Sequence, residues 1–254
     1  MIQIIRSVQE WKEVLNSGVF SGKKIGLVPT MGALHNGHAS LIERSVRENN
    51  FTVVSIFVNP TQFNDPKDLQ NYPRTFEDDL KLLEDLKVDF LFYPNYADIY
   101  NDNFKYKISE NELSKILCGE FRPGHFDGVL TVVMKLLNII KPNKAYFGEK
   151  DYQQYLLIDG MCKSFFLDVE IIPCPIVREA EGLALSSRNA LLTKKEKIFV
   201  QNFPRLLKTE KSCDSIKSEL EKIGFEVDYI EEIGNRRFGA VHVGKVRLID
   251  NVEI

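Results

Sequence analysis

The chain holds four histidines in 254 residues, and two of them, His35 and His38, stand three positions apart in Leu34-His35-Asn36-Gly37-His38. Imidazole N–H groups donate to phosphate oxygens, and a pair of them suits the moment when negative charge moves onto a leaving pyrophosphate. Donors aimed at developing charge are worth roughly 10²–10³ in rate each. Gly37 between them carries no Cβ, so the backbone is free to approach a ligand closely. Further along, Lys150 offers a compact point charge. Ser186-Ser187-Arg188 gathers two hydroxyls and a guanidinium, donors that fit a phosphate or a carboxylate. The amides of Asn59, Gln62 and Gln154 donate and accept without adding charge, which suits a substrate carboxylate or hydroxyl. Arg122 and His125 flank a Pro-Gly turn, and their types fit a structural corner as well as a substrate contact.

Elements of known direction must bring these groups together. The apolar run Ile25 to Val28 reads as a short buried strand, broken by Pro29 and Gly32, and Leu41, Ile42 and Val46 then share one helical face. The two histidines therefore lie where a strand hands over to a helix, whose first turn presents unpaired N–H groups and about half a positive charge. Phe51 to Val58 is continuous and β-branched, as in a parallel strand buried on both faces, and Asn59 and Gln62 follow at its end. Ser7 to Glu10 reads as a capping box opening a helix that buries Trp11 and Leu15. Thr75 to Lys87 reads as an amphipathic helix, Val88 to Tyr93 as a third strand, and Val129 to Ile140 as an apolar helix. A fourth strand, Ala145 to Gly148, runs into Glu149-Lys150-Asp151 at a helix start. Asp151 there either caps the helix or reaches a ribose hydroxyl, and Gln154 lies one turn on from Lys150. Val169 to Pro173 is a fifth strand.

Strands alternating with helices predict an α/β chain with a Rossmann-like, doubly wound parallel sheet, whose ligand gathers beyond the C-terminal strand ends. The connection from Asn64 to Arg74 is longer than an ordinary loop and reads as a lid. After Ser186-Ser187-Arg188 the character changes. Lys/Glu-rich helices at Thr193–Leu207 and Cys213–Ile223 precede strand patterns around Phe225–Glu232 and Phe238–Ile249. We read residues 1–176 as the main nucleotide- and substrate-binding domain and 177–254 as a smaller α+β lid domain, with His242 structural.

Composition limits the partners. A net charge of −3 offers no general attraction to nucleic acid or to an anionic membrane, so any phosphate site must be local. No run of about 18 apolar residues is present, so no membrane helix is expected. Met1-Ile-Gln-Ile-Ile-Arg-Ser lacks the features of a secretion signal. Cys118, Cys162, Cys174 and Cys213 are scattered with no C-x-x-C pair, which fits buried thiols in a reducing cytoplasm and indicates neither zinc nor a disulfide framework.

Several blocks stand in order along the chain: Pro29-Thr-Met-Gly-Ala-Leu-His-Asn-Gly-His38, Val54-Ser-Ile-Phe-Val-Asn-Pro-Thr-Gln-Phe63, Tyr72-Pro-Arg-Thr75, Arg122-Pro-Gly-His-Phe126 and Tyr146-Phe-Gly-Glu-Lys-Asp-Tyr-Gln-Gln154, with Leu183-Ala-Leu-Ser-Ser-Arg-Asn189 and Arg247-Leu-Ile-Asp-Asn251. Together they resemble one family, the pantoate–β-alanine ligases. The resemblance implies that pantoate attacks the α-phosphate of Mg-ATP to give pantoyl adenylate, which β-alanine then converts to pantothenate. It implies that Pro29, Thr30, Met31, Gly32, Ala33, Leu34, His35, Asn36, Gly37 and His38 line the ATP, with His38 the proton donor and His35 at the phosphates. It places Gly148, Glu149, Lys150, Asp151, Val177, Leu185, Ser186, Ser187 and Arg188 at ATP as well. By the same resemblance Gln62 meets pantoate and β-alanine, Gln154 meets pantoate and Asn59 meets β-alanine. The resemblance also implies ATP as co-substrate and Mg2+ as cofactors, with no metal ligand assigned, and a homodimer as the expected assembly. The tail from about Gln201 looks shorter than the family usually carries. Two rival readings are another His-x-Gly-His nucleotidylyl transferase, which would retain the nucleotide in its product, and a nucleotide-binding protein without chemistry.

Overall fold

A computed structural model describes residues 2–254. Six strands form one sheet: β1 (Gln3–Ile5), β2 (Ile25–Thr30), β3 (Phe51–Ile56), β4 (Phe90–Phe92), β5 (Lys144–Gly148) and β6 (Glu170–Cys174). Their order is β1-β4-β3-β2-β5-β6, and every neighbouring pair is parallel. The expected α/β, doubly wound sheet is therefore present. From β2 the chain winds outward through β3 and β4, then returns to add β5 and β6 on the other side. The order reverses between β2 and β5, and that reversal opens a crevice at the strand ends.

Helices cover both faces. The helices Val8–Asn16, His125–Ile140 and Tyr152–Ser164 pack on one side, around Trp11, Leu130, Ile140 and Ile158. Asn36–Glu48 and Phe76–Asp85 pack on the other, around Val28, Ile42, Leu83 and Tyr146. Ser7 caps the first helix by accepting from Glu10 N–H at 3.1 Å, while the Glu10 carboxylate reaches back to Arg6 N–H at 2.7 Å. Trp11 is fully buried there, whereas Leu15 is only half-buried.

Several boundaries differ from the sequence reading. β1 has only three residues, too short to show a period, and burial against β4 makes it a strand. The apolar helix starts at His125 rather than Val129, because Gly124 at φ +78° turns the chain directly into it. The expected helix Thr193–Leu207 is two, Lys194–Phe199 and Asn202–Leu207. Pro204 lacks the N–H that a continuous helix would need at that point, and it is tolerated in the first turn of the second.

The tail forms an antiparallel sheet of β7 (Glu226–Ile233), β8 (Arg236–Val243) and β9 (Val246–Glu253). The strand pattern around Phe238–Ile249 is a hairpin, turned at Gly244 with φ +57°. One face of this sheet packs on the tail helices through Phe203, Leu207 and Ile216. Tyr229, Phe238 and Ala240 instead join the core of the large sheet. His242 accepts its expected structural role, pairing with Asp228 at 3.1 Å.

Candidate active site

A cavity of about 240 Å³ lies at the reversal between β2 and β5. Its walls come from the ends of β2, β3 and β5, the buried helix His125–Ile140, and the segment that follows β6.

The chain after β2 is held from below. Thr30 Oγ1 donates to Ser55 O at 2.8 Å and accepts from Gly32 N–H at 3.2 Å. Ala33 N–H and Leu34 N–H then donate to the carboxylate of Asp79, at 2.9 and 2.7 Å, in a loop where Gly32 and Ala33 both have positive φ. Asp79 is 3% exposed and was not legible in the sequence, where it reads as one more acidic residue in a helix's first turn.

His35 caps the helix Asn36–Glu48. Its Nδ1 accepts from Gly37 N–H at 3.1 Å, and His38 Nδ1 accepts from His35 N–H at 3.4 Å. A ring nitrogen that accepts a backbone N–H carries no proton, so each neutral imidazole holds its proton on Nε2. The rings stand 4.1 Å apart between centroids. Burial, with Lys150 nearby, lowers the His35 pKa to about 4. Burial, then His35 and Lys150, lowers that of His38 to about 3. Both are uncharged Nε2–H donors near neutral pH.

Gly37 earns its place differently from the sequence reading. A Cβ there would stand 2.8 Å from His35 Cε1 and 2.9 Å from His35 Nδ1. The missing side chain makes room for the capping imidazole itself.

The turn after β3 is tied to the helix His125–Ile140. A Cβ on Gly128 would stand 2.4 Å from Thr61 O, so only glycine allows helix and turn to touch. Asn59 is 1% exposed, and its amide is fully used. It donates to Gln62 Oε1 at 3.0 Å and Gly128 O at 3.2 Å, and accepts from Thr61 Oγ1 at 3.0 Å and Tyr100 OH at 2.9 Å. Asn59 lines the cavity, but all its partners are already protein groups, so its work is to hold Gln62. With Oε1 engaged, Gln62 presents its Nε2 donor, which meets only the weak acceptor Met31 Sδ at 3.1 Å.

Arg122 and His125, left open by the sequence, grip the same turn. His125 Nδ1–H donates to Gln62 O at 2.8 Å, and Arg122 Nη2 donates to that carbonyl at 3.1 Å. Arg122 Nη1 donates to His125 Nε2 at 3.0 Å, which fixes the neutral tautomer. Burial, then Arg122, lowers the His125 pKa to about 3. Both side chains also line the cavity.

Lys150, Asp151 and Gln154 reach the cavity from the end of β5. Asp151 makes no capping hydrogen bond to the helix Tyr152–Ser164, which removes one of its two expected roles, and its carboxylate stands 3.6 Å from Lys150 Nζ. Opposite, Ser186 Oγ caps its own 3-10 turn through Arg188 N–H at 3.3 Å. Arg188 pairs with Asp68 at 2.9 Å, and Tyr72 OH meets Ser187 Oγ at 3.2 Å. Asp68 lies on the helix Pro66–Asn71, inside the connection expected to be a lid.

Of the residues implied by resemblance, Pro29, Thr30, Met31, His35, Gly37, His38, Asn59, Gln62, Gly148, Lys150, Asp151, Gln154, Val177, Leu185, Ser186, Ser187 and Arg188 line this cavity. Gly32, Ala33, Leu34, Asn36 and Glu149 do not. The first three turn toward Asp79, Asn36 is exposed on the helix, and the Glu149 carbonyl is taken by Asn251 at 2.9 Å. Tyr72, Arg122 and His125 join the lining with no role assigned from sequence.

Neutral imidazole donors facing a lysine and a serine–arginine turn across the switch point of a parallel sheet define an enzyme built for polyphosphate chemistry. The family model for pantoate-beta-alanine ligase matches residues 3–253. The chain is 52% identical over its whole length, and the relative's, to a pantothenate synthetase of Bdellovibrio bacteriovorus, and 51% identical over 98% of its length to one of Legionella pneumophila, 99% of which is covered. It superposes on a pantoate-beta-alanine ligase of Francisella tularensis, complexed with beta-gamma ATP and beta-alanine, with a TM-score of 0.95 and 45% identity. That match covers 100% of this chain and 98% of the other. The chain belongs to the pantoate–β-alanine ligase family, enzymes that join carbon to nitrogen. The Bdellovibrio relative is covered over 100% of its length and the Francisella chain over 98%, so these two carry no long extension beyond the tail that starts at Gln201. No described helix is long and apolar enough to cross a membrane.

Proposed function

We propose that this cavity binds ATP and pantoate together and makes pantothenate in two steps. A pantoate carboxylate oxygen attacks the α-phosphorus, the bond from that phosphorus to the bridging oxygen breaks, and pyrophosphate leaves. The amine of β-alanine then attacks the acyl carbon and gives up a proton to solvent, and the bond from that carbon to the oxygen bridging it to phosphorus breaks, so AMP departs with the bridging oxygen. The observation carrying this reading is that His35, His38, Lys150 and Arg188 line one cavity with Gln62 and Gln154.

His35 and His38 give Nε2–H bonds to the phosphates, and His38 supplies the donor as the leaving oxygen gains charge. Lys150 and Arg188 neutralise the β- and γ-phosphates, with Ser186 and Ser187 as neutral donors. Gln62 Nε2 meets pantoate and later β-alanine, and Gln154 holds pantoate. Asn59 acts on β-alanine through Gln62. Val177 and Leu185 lie along the nucleotide.

Mg2+ enters with ATP. Among the described residues no group of three or more His, Cys, Asp or Glu forms a cage. Magnesium commonly takes one or two carboxylates beside the phosphates, and the half-exposed Asp151 carboxylate on the cavity wall fits that part. Free thiols at Cys118, Cys162, Cys174 and Cys213 support residence in a reducing cytoplasm. Family membership supports a homodimer, which light scattering on a sizing column tests.

The deciding experiment is pyrophosphate release from Mg-ATP with pantoate, with and without β-alanine. Release should require pantoate, and pantothenate and AMP should appear only once β-alanine is added. A folded, ATP-binding sample with no pantoate-dependent release would sink the reading. His38→Ala should lower that release by about 10²-fold.

A further inference from the structure

We propose that Asp250 and Asn251, adjacent on β9 of the small sheet, are positioning residues that hold the two phosphate-facing arms of the cavity in register. The proposal rests on the functional reading above and adds to it residues that touch no substrate.

Asn251 is 1% exposed and spends its whole amide on two elements. Nδ2 donates to Glu149 O at 2.9 Å and to Lys150 O at 3.0 Å, while Oδ1 accepts from Arg236 Nη1 at 2.6 Å. The backbone of the turn that presents Lys150 is thereby fastened to a strand about a hundred residues later in the chain.

Asp250 is 3% exposed and faces the other arm. It takes both Nη1 and Nη2 of Arg178, at 2.6 and 2.8 Å, and accepts from Asn251 N–H at 2.8 Å. Arg178 also donates to Gly182 O at 2.9 Å and Asn251 O at 3.1 Å. It sits at the root of a short hairpin, closed by Glu179 N–H to Leu183 O at 2.8 Å and Leu185 N–H to Val177 O at 3.0 Å. That hairpin delivers Leu185 to Arg188. One dipeptide therefore fixes Lys150 on one wall and Ser186-Ser187-Arg188 on the other.

A pair of opposed cations stabilises a transferring phosphoryl group only when their separation is set beforehand, and a misplacement of about 1 Å can cost about 10²-fold in rate. Adenylation needs both arms. The attack of β-alanine on ready-made pantoyl adenylate involves no β- or γ-phosphate, so it does not.

The test separates the half-reactions. In Asn251→Ala, pantoate-dependent pyrophosphate release should fall about 10- to 100-fold, while conversion of supplied pantoyl adenylate and β-alanine to pantothenate stays within about twofold. Equal losses in both half-reactions, or no loss in the first, overturn the proposal. If Asn251→Ala does not fold, Arg178→Lys, which keeps the charge but gives up the two-pronged grip on Asp250, is judged by the same split. Lys150→Ala in parallel tells the two levels apart. Unchanged pyrophosphate release in that variant overturns the reading of the site, whereas a loss there with Asn251→Ala unaffected overturns only the positioning role.

Discussion

At the scale of single residues, the chemistry of His35 and His38 is set by which nitrogen the backbone occupies. Both Nδ1 atoms accept main-chain N–H groups, so both rings turn an Nε2–H outward, whereas His125 holds its proton on Nδ1. Nitrogen-15 spectra of the free enzyme should show, for these three histidines, two Nε2–H tautomers and one Nδ1–H tautomer, all neutral down to about pH 5, given pKa values of about 4, 3 and 3. Protonation of either motif histidine near pH 6.5 would contradict this. Gly37→Ala drives a methyl to within 2.8 Å of the His35 ring. Pyrophosphate release should drop by about 10²-fold with little change in Tm, and an unaffected rate would dismiss the packing role of that glycine. The sequence displayed these histidines because strand, turn and helix leave a local pattern. It did not display the state of Asn59, because an amide exhausted by Gln62, Thr61, Tyr100 and Gly128 looks the same in a string of letters as a free one.

At the scale of elements, the loop after β2 depends on a carboxylate supplied by the helix Phe76–Asp85. Asp79→Ala strands the N–H groups of Ala33 and Leu34, and leaving a buried donor unpaired costs about 1–3 kcal/mol. Urea denaturation should register that loss, and KM for ATP should rise as the loop before His35 loosens. Normal stability and normal KM together would show the loop to be held by something else. Elements long enough to carry a period were readable, including β3 and the helix Asn36–Glu48. Those decided by tertiary burial or by one residue were not: three-residue β1, the Gly124 entry into the helix at His125, and the Pro204 break.

For the whole molecule, packed contacts cross the division read at residue 176. Tyr229, Phe238 and Ala240 of the small sheet are buried with Trp11 and Leu130 of the large one, and Asn251 reaches across to Lys150. Calorimetry should therefore give one transition, and two resolved transitions would restore the lid as a separate unit. Acid should weaken the fold in a definite window. His35, His38 and His125 titrate lower in the fold than their ordinary 6.5, so the folded state binds fewer protons. Their contribution is complete above pH 6.5 and is lost as pH falls through about 4 to 3. Tm should decline on acidification below pH 6.5, with a gentler slope in His38→Ala, and a Tm that climbs over that range would refute the assignment. Long-range pairings of this kind, between residues about a hundred positions apart, leave no mark on local composition.

The ion pair between Asp68 and Arg188 carries a consequence for which anions win the site. A free monoanion that approaches Arg188 competes with a carboxylate already tethered beside it, at an effective concentration on the order of millimolar. Under the proposed reading a triphosphate does not compete on those terms, since the same molecule would also reach Lys150 and the serines and gain their contacts in one event. On that reading the tethered acid would act as a threshold against small anions and let through the ligand that can grip both walls at once.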